Sequence, residues 1–289
     1  MRYSKDFLDY ELIDATEGER LERWGDIILI RPDPQIIWDG EKSDPRWENA
    51  HAIYHRSQSG GGYWEPLKKV PDVWSINYKD LTFNLKPMGF KHTGLFPEQS
   101  VNWDLCADVI KNSDKPLKVL NLFAYTGGAT ISALAAGASV THVDASKGMV
   151  AWAKENAVAS GLADKPVRWL VDDCLKFVLR EIRRGNKYDG IIMDPPSYGR
   201  GPNGEVWKLE QNLAPLLDAV GQILSDDACF FLLNSYTGGL SASILNFMVK
   251  KYVIKHRKGN VITDEIGLPV TKKDIVLPCG NTTFWIKEN

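Results

Sequence analysis

The stretch Leu117-Lys118-Val119-Leu120-Asn121-Leu122-Phe123-Ala124-Tyr125-Thr126-Gly127-Gly128 decides the fold. Its first half is a short apolar run that reads as a buried strand. Its second half is a glycine turn from which a helix over residues 129–138 departs, ending near Gly137. The same alternation repeats downstream. Strands are expected over 139–146, 166–173, 187–197 and 227–235, with helices over 147–161, 174–185, 206–224 and 241–252. A helix over 98–112 precedes the series, and two strands, near 251–257 and 282–289, close the chain. Strands that alternate with crossover helices give a parallel sheet covered on both faces.

Upstream of residue 97 the texture differs. Short apolar or alternating segments at 26–33, 50–57, 73–80 and 81–87 are separated by breaks at Arg31-Pro32-Asp33-Pro34 and Gly60-Gly61-Gly62. The expected organisation is therefore a β-rich domain over 1–97 and an α/β domain over 98–289. Five of the ten tryptophans (Trp24, Trp38, Trp47, Trp64, Trp74) lie in the first eighty residues, where core packing is favoured over base stacking.

Composition narrows the class. With 44% hydrophobic and 25% charged residues the chain has the balance of a folded globular protein. No apolar run approaches bilayer length, and the first residues lack a signal-like apolar core. Cys106, Cys174, Cys229 and Cys279 form no C-x-x-C pair and read as reduced thiols, so the expected location is cytoplasmic. His51 and His55 have a metal-ligand spacing but no third ligand, and no metal is expected. Lys and Arg total 35 against 37 Asp and Glu, so any nucleic-acid contact must use a local patch.

In an open α/β sheet, ligands bind beyond the carboxyl ends of the strands. The first such end carries the glycine turn, whose spacing is not G-x-G-x-x-G, which disfavours a nicotinamide oxidoreductase. The second is Asp144, placed to accept from ribose hydroxyls. The third is Asp172-Asp173, where a carboxylate can accept from an adenine amino group or cap the next helix. Together they form a layout for an adenosine ligand without a pyrophosphate. The fourth end, Asp194-Pro195-Pro196-Ser197-Tyr198, is a rigid turn bearing a carboxylate, free carbonyls and a ring suited to clamping a planar substrate.

These motifs (N-L-F-x-Y-T-G-G, V-D-A-S, D-D and M-D-P-P-S) resemble the class I S-adenosylmethionine-dependent methyltransferases, most closely the bacterial large-subunit ribosomal RNA methyltransferase group. The resemblance runs from about 85 to 285. It includes Lys91-His92-Thr93-Gly94-Leu95-Phe96-Pro97-Glu98-Gln99 and the run from Gly199 to Trp207. It implies a Rossmann-like sheet, S-adenosylmethionine as cofactor and RNA as partner. Phe123, Tyr125, Thr126, Gly127 and Gly128 would cradle the methionine part of the cofactor. Asp144 would hold the ribose, with Ala145 and Ser146 beside the adenine and Asp173, with Asp172, at its amino group. Asp194, the proposed catalytic residue, and Pro195 would lie next to the methyl. Pro196, Ser197, Tyr198 and Arg200 would meet the substrate. His92, Thr93, Phe96 and Gln99 would close over the cofactor.

The chain departs from the group's pattern at His92, where a lysine is usual, and at Glu98-Gln99-Ser100, which replaces D-Q-R. Members that methylate cytosine C5 carry a cysteine after the fifth strand; here that segment is Asn234-Ser235-Tyr236-Thr237-Gly238. Cytosine C5 is a poor nucleophile until a thiolate adds at C6. The expectation is therefore transfer to a base nitrogen, with cytosine C5 and protein or small-molecule substrates as alternatives. Lys250, Lys251, Lys255, Arg257, Lys258, Lys272 and Lys273 form the expected phosphate track.

Overall fold

A computed structural model describes residues 1–57 and 61–288. The break expected at Gly60 and the terminal Asn289 lie outside them. The chain forms two compact units. One comprises Tyr3–Ser100 with Gly267–Pro278; the other comprises Val101–Ile266 with Met1–Arg2 and Cys279–Asn289.

The first unit is built on β1 (Tyr10–Thr16), β2 (Glu19–Trp24), β3 (Ile27–Pro32), β4 (Ala52–Arg56), β5 (Gly62–Pro66) and a separate ribbon, β6 (Trp74–Tyr78) with β7 (Leu81–Leu85). The β1–β2 link is a two-residue turn in which Glu17 and Gly18 both take positive φ (51° and 77°), as a type I′ hairpin requires. None of the five early tryptophans is exposed. Trp38, Trp47 and Trp64 donate their indole N–H to the Ala15 carbonyl (2.8 Å), Asp14 Oδ2 (3.0 Å) and the Met88 carbonyl (3.0 Å). Trp24 and Trp47 are core residues, and Trp38, Trp64 and Trp74 are half-buried. His51 Nδ1 accepts the Ile28 N–H (3.0 Å) and His55 pairs with Glu65 (2.6 Å).

Strands β1 and β2 were not expected, because they carry charge that normally marks loops. Glu22 on β2 is fully buried, yet its carboxylate meets Arg31 Nε and Nη2 (2.5 and 2.8 Å) and the Tyr10 hydroxyl (2.8 Å). Segment 267–278, expected in the α/β domain, belongs to this unit. The register Leu12↔Val270 joins it to β1, and Lys273 and Lys272 pair with Asp14 (2.9 Å) and Asp44 (3.4 Å).

The second unit contains α1 (Ser100–Lys111), β8 (Lys118–Leu122), α2 (Gly128–Ala135), β9 (Ser139–Asp144), α3 (Lys147–Ala159), β10 (Val167–Val171), α4 (Cys174–Arg184) and β11 (Gly190–Met193). A short ribbon follows, β12 (Tyr198–Arg200) with β13 (Val206–Lys208). Then come α5 (Leu209–Ile223), β14 (Phe230–Ser235), α6 (Ala242–Val249), and the strands β15 (Asn260–Val270) and β16 (Ile275–Ile286), of which Gly267–Pro278 counts with the first unit. The sheet order is β10-β9-β8-β11-β14-β16-β15. Strands β8 to β11 and β14 are mutually parallel, and β16 runs antiparallel to β14. This is the expected α/β, Rossmann-like sheet. Leu120, Leu122, Ile191, Met193, Phe231 and Leu233 are buried against Phe177, Leu213 and Leu217 of α4 and α5.

Two local expectations fail. Residues 251–257 are not a strand: α6 continues into a π-helical turn, Lys250–Ile254. Val249, Val253 and Ile254 keep the buried face going, and Gly221 of α5 allows the approach, since a Cβ there would lie 2.5 Å from the Tyr252 carbonyl oxygen. Residues 206–208 are ribbon rather than helix, because each arm has only three residues and a Pro-Asn-Gly turn between them.

Candidate active site

The strand order reverses between β8 and β11, and the crevice beyond their carboxyl ends is where open α/β sheets bind ligands. The chain leaving β8 is wound into an unusual turn. Phe123 and Tyr125 are left-handed (φ 56° and 50°), and Gly127 follows at 87°. For side-chain-bearing residues this conformation costs about 1–3 kcal/mol each and persists where surrounding contacts impose it. Those contacts are visible. The Tyr125 N–H donates to Asp144 Oδ2 (2.8 Å), the Phe123 N–H to Cys174 Sγ (3.4 Å), and Asn156 Nδ2 to the Thr126 carbonyl (2.9 Å). Thr126 is buried. Gly128 is needed chiefly for packing: a Cβ there would lie 2.6 Å from the Trp103 ring. Gly127 combines its positive φ with an approach of 2.9 Å to Ala153.

Asp144 sits at the end of β9. Its other oxygen, Oδ1, accepts the Ser146 N–H (2.8 Å). Burial pushes its carboxyl above the usual range, and the two N–H bonds pull it partly back. Ala145 is half-buried beside it. Ser146 is exposed and caps α3 through Met149 N–H (3.4 Å). The acids after β10 have local partners. Asp173 caps α4 by accepting the Lys176 N–H (2.8 Å), and Asp172 pairs with Arg180.

Asp194 leaves β11 and is held from behind by a buried relay. Asn234 Nδ2 donates to Asp194 Oδ1 (2.9 Å), Thr282 Oγ1 donates to Asn234 Oδ1 (2.7 Å), and Asn102 Nδ2 donates to Thr282 Oγ1 (3.0 Å). The carboxylate orientation is thus set by β14, β16 and α1 together. Pro195 is buried, while Pro196, Ser197, Tyr198 and Arg200 are exposed. The Ser197 and Thr237 hydroxyls are 2.6 Å apart. Asn234 and Trp207 were not expected as site residues. Trp207 donates to the Pro196 carbonyl (2.6 Å) and packs on Phe123, ring centroids 5.0 Å apart. It therefore braces both turns.

His92, Thr93, Phe96 and Gln99 belong to the other unit. There His92 packs on Phe96 (5.0 Å between centroids), the Thr93 carbonyl accepts the Lys86 N–H (3.1 Å), and the Gln99 N–H donates to the Phe96 carbonyl (3.0 Å). Burial, with Arg31 and Lys91 nearby, lowers His92 to about 3, so it is neutral at pH 7.

Four members of the basic cluster expected to track phosphates are engaged, while Lys250 and Lys258 have no ion-pair partner among the described residues. Lys255 pairs with Asp218 (3.2 Å), and Arg257 donates to the carbonyls of Val253 (3.0 Å) and Leu224 (3.0 Å). Lys272 and Lys273 are the ion-pair partners of Asp44 and Asp14 in the other unit.

Residues 50–231 match the S-adenosylmethionine-dependent methyltransferase family, and the chain belongs to it. A crystal structure of an S-adenosylmethionine-dependent methyltransferase from Agrobacterium tumefaciens is 37% identical, with a TM-score of 0.94 over 99% of this chain and 93% of that one. Among curated relatives, the ribosomal RNA large subunit methyltransferase K/L of Shewanella frigidimarina is 35% identical over 50% of this chain and 20% of its own length. That of Pseudoalteromonas atlantica is 33% identical over 71% and 27%. The chain thus spans about a fifth to a quarter of the length of these relatives. It is an S-adenosylmethionine-dependent methyltransferase, and the site fits that cofactor: each Asp144 oxygen accepts one N–H bond, from Tyr125 and Ser146, and a carboxylate oxygen has capacity for a second, beside the left-handed turn. Among the described residues no helix is long and apolar enough to cross a membrane.

Proposed function

We propose that this methyltransferase modifies a base in RNA, at a ring or exocyclic nitrogen. The observation that carries the reading is Asp194, a carboxylate at the end of the fourth parallel strand with one oxygen fixed by the Asn234 relay. The names of the curated relatives support RNA as the substrate class.

S-adenosylmethionine supplies an electrophilic methyl. The rest is alignment by this chain. The Phe123–Gly128 turn cradles the methionine part, Asp144 accepts the ribose hydroxyls, and Ala145, Ser146 and the Asp172-Asp173 pair border the adenine. Asp194 accepts an N–H of the base, orients its nitrogen and stabilises the positive charge that develops there. Pro195 rigidifies the turn, while Pro196, Ser197, Tyr198 and Arg200 meet the RNA, whose target base must be unstacked to enter. A nitrogen lone pair needs no covalent activation.

Cytosine C5 is the second reading, and the cysteine positions weigh on it. Burial pushes the Cys106 and Cys174 thiols up, which disfavours their thiolates. Cys229 precedes β14 and so lies at the opposite end of the parallel strands from Asp194, roughly 16 Å away at strand rise. Cys279 is buried on β16, two positions past the Asn281↔Ser235 pair at the carboxyl end of β14. It is the thiol to test. RNA transcribed with 5-fluorocytidine traps a C5 enzyme as a covalent adduct; none is expected, and Cys279→Ser retains transfer. An adduct that Cys279→Ser abolishes would establish the C5 route instead.

Asp144→Ala weakens S-adenosylmethionine binding by about 1.5–3 kcal/mol, the range for hydrogen bonds to a charged acceptor. Because ribose hydroxyls donate to the carboxylate form, affinity in the parent falls as pH drops through the raised Asp144 value. In Asp144→Asn that dependence disappears. Calorimetric titration across pH checks both, and unchanged affinity in a folded Asp144→Ala variant removes the assignment.

A further inference from the structure

Between the Asp194 turn and α5 the chain makes a detour that the sheet does not require. In the β12–β13 ribbon, Tyr198 stands opposite Lys208, Gly199 opposite Trp207, and Arg200 opposite Val206. Side chains alternate along strands, so this register sorts the ribbon into two faces. The inner face is Gly199 and buried Trp207, with the indole on Phe123 and its N–H on the Pro196 carbonyl. A second tether is Glu205, which pairs with Lys176 of α4 and accepts the Asn203 N–H (2.9 Å).

The outer face is Tyr198, Arg200, Val206 and Lys208, all exposed; Tyr198 leaves 54% of its surface open. Arg200 and Lys208 have no ion-pair partner among the described residues. Two acids nearby are taken, Glu205 by Lys176 and Asp172 by Arg180, while Glu210 in the first turn of α5 is exposed and pairs with neither cation. This contrasts with Lys255 and Arg257, whose charges are met by Asp218 and by carbonyls. On a chain of net charge −2, the ribbon is an unneutralised cationic strip with an open aromatic ring, rooted on the turn that presents Asp194.

We propose that this outer face docks the single-stranded RNA flanking the target base, with Tyr198 stacking a neighbouring base and Arg200 and Lys208 neutralising phosphates. The proposal rests on the RNA reading given above. The two cations occupy diagonal positions about 7–8 Å apart, so they meet different phosphates. An open ring beside them suits a nucleobase, which offers a flat face whatever its sequence. Trp207 makes the strip part of the site, since the residue that supports it also supports the cofactor turn.

The test is fluorescence anisotropy of a labelled single-stranded oligonucleotide of about 12 nucleotides, within the usual span of such sites, titrated over a range of salt. The proteins are the full chain, Tyr198→Ala, the double variant Arg200→Ala with Lys208→Ala, and the double variant Lys255→Ala with Lys258→Ala. The ribbon double variant is expected to flatten the dependence of log affinity on log salt by about 1.4, two phosphates at about 0.7 each. Tyr198→Ala lowers affinity about five- to a hundredfold with the slope unchanged. The Lys255 and Lys258 variant keeps the parent slope, and S-adenosylmethionine affinity is the same in all four proteins. A parent slope in the ribbon double variant, together with parent affinity in Tyr198→Ala, overturns the ribbon proposal and leaves the RNA reading standing. A parent chain that binds poly-glutamate but no RNA overturns both.

Discussion

Replacing Asp194 by Ala slows methyl transfer by about 10²–10⁴-fold, the usual contribution of a positioned proton acceptor, and leaves S-adenosylmethionine affinity unchanged. The split follows from geometry. Asp144 and the left-handed turn lie at the ends of β8 and β9, whereas Asp194 ends β11 and is oriented by Asn234 on β14. Loss of the carboxylate removes the acceptor for the substrate N–H without touching the ribose anchor. Asn234→Ala acts in the same direction with a smaller effect, because the carboxylate remains but loses its orientation. Turnover and cofactor affinity measured on the same preparations separate these effects. Parent-like turnover in Asp194→Ala would show that another group positions the base.

Glu22→Gln destabilises the first unit by about 3–5 kcal/mol, the typical cost of breaking a buried ion pair from one side. Glu22 is fully buried, and Arg31, with Arg20 at 4.0 Å, would be left without its carboxylate. Burial alone would raise the Glu22 carboxyl, but the Arg31 guanidinium, Arg20 and the Tyr10 hydroxyl outweigh it and hold it below the ordinary glutamate value of 4.5. The contribution to stability is therefore complete above pH 4.5 and is lost as pH falls through the lowered native value. Urea titration followed by tryptophan fluorescence reports on this region, since Trp24 packs on Tyr10 (4.7 Å) and Arg31 (5.2 Å). An unchanged midpoint at neutral pH would mean that the cluster does not hold the unit. Replacing Glu22 and Arg31 together by apolar residues of similar size should recover much of the loss, because no lone charge is then buried.

The parallel sheet was legible because β8, β11 and β14 are mostly apolar and are separated by crossover helices with clear stop signals such as Gly161 and Gly185. Strand ends could be read as site positions for the same reason: topology fixes which ends face the crevice. What stayed hidden depended on partners distant in sequence. Strands β1 and β2 look like loop because Glu22 and Asp14 gain their main compensating charges from Arg31 and Lys273, on other segments. The Asn102–Thr282–Asn234–Asp194 relay joins four segments spanning 180 residues, with no local signature. Gly128 looked like a ligand-approach glycine, while its tightest constraint is Trp103 of α1. The basic residues near the carboxyl end looked like a free patch, but Lys255, Arg257, Lys272 and Lys273 are neutralised or bound within their own units.

The central claim is that the chain transfers a methyl group from S-adenosylmethionine to a nitrogen of an RNA base. Its most direct test incubates the purified chain with methyl-tritiated S-adenosylmethionine and total RNA, fractionates the RNA by size and digests the labelled species to nucleosides. The account predicts label in large ribosomal RNA, recovered as a base carrying the methyl on nitrogen, and none with Asp194→Ala. Label recovered as 5-methylcytidine, or found only in protein or small molecules, would contradict it.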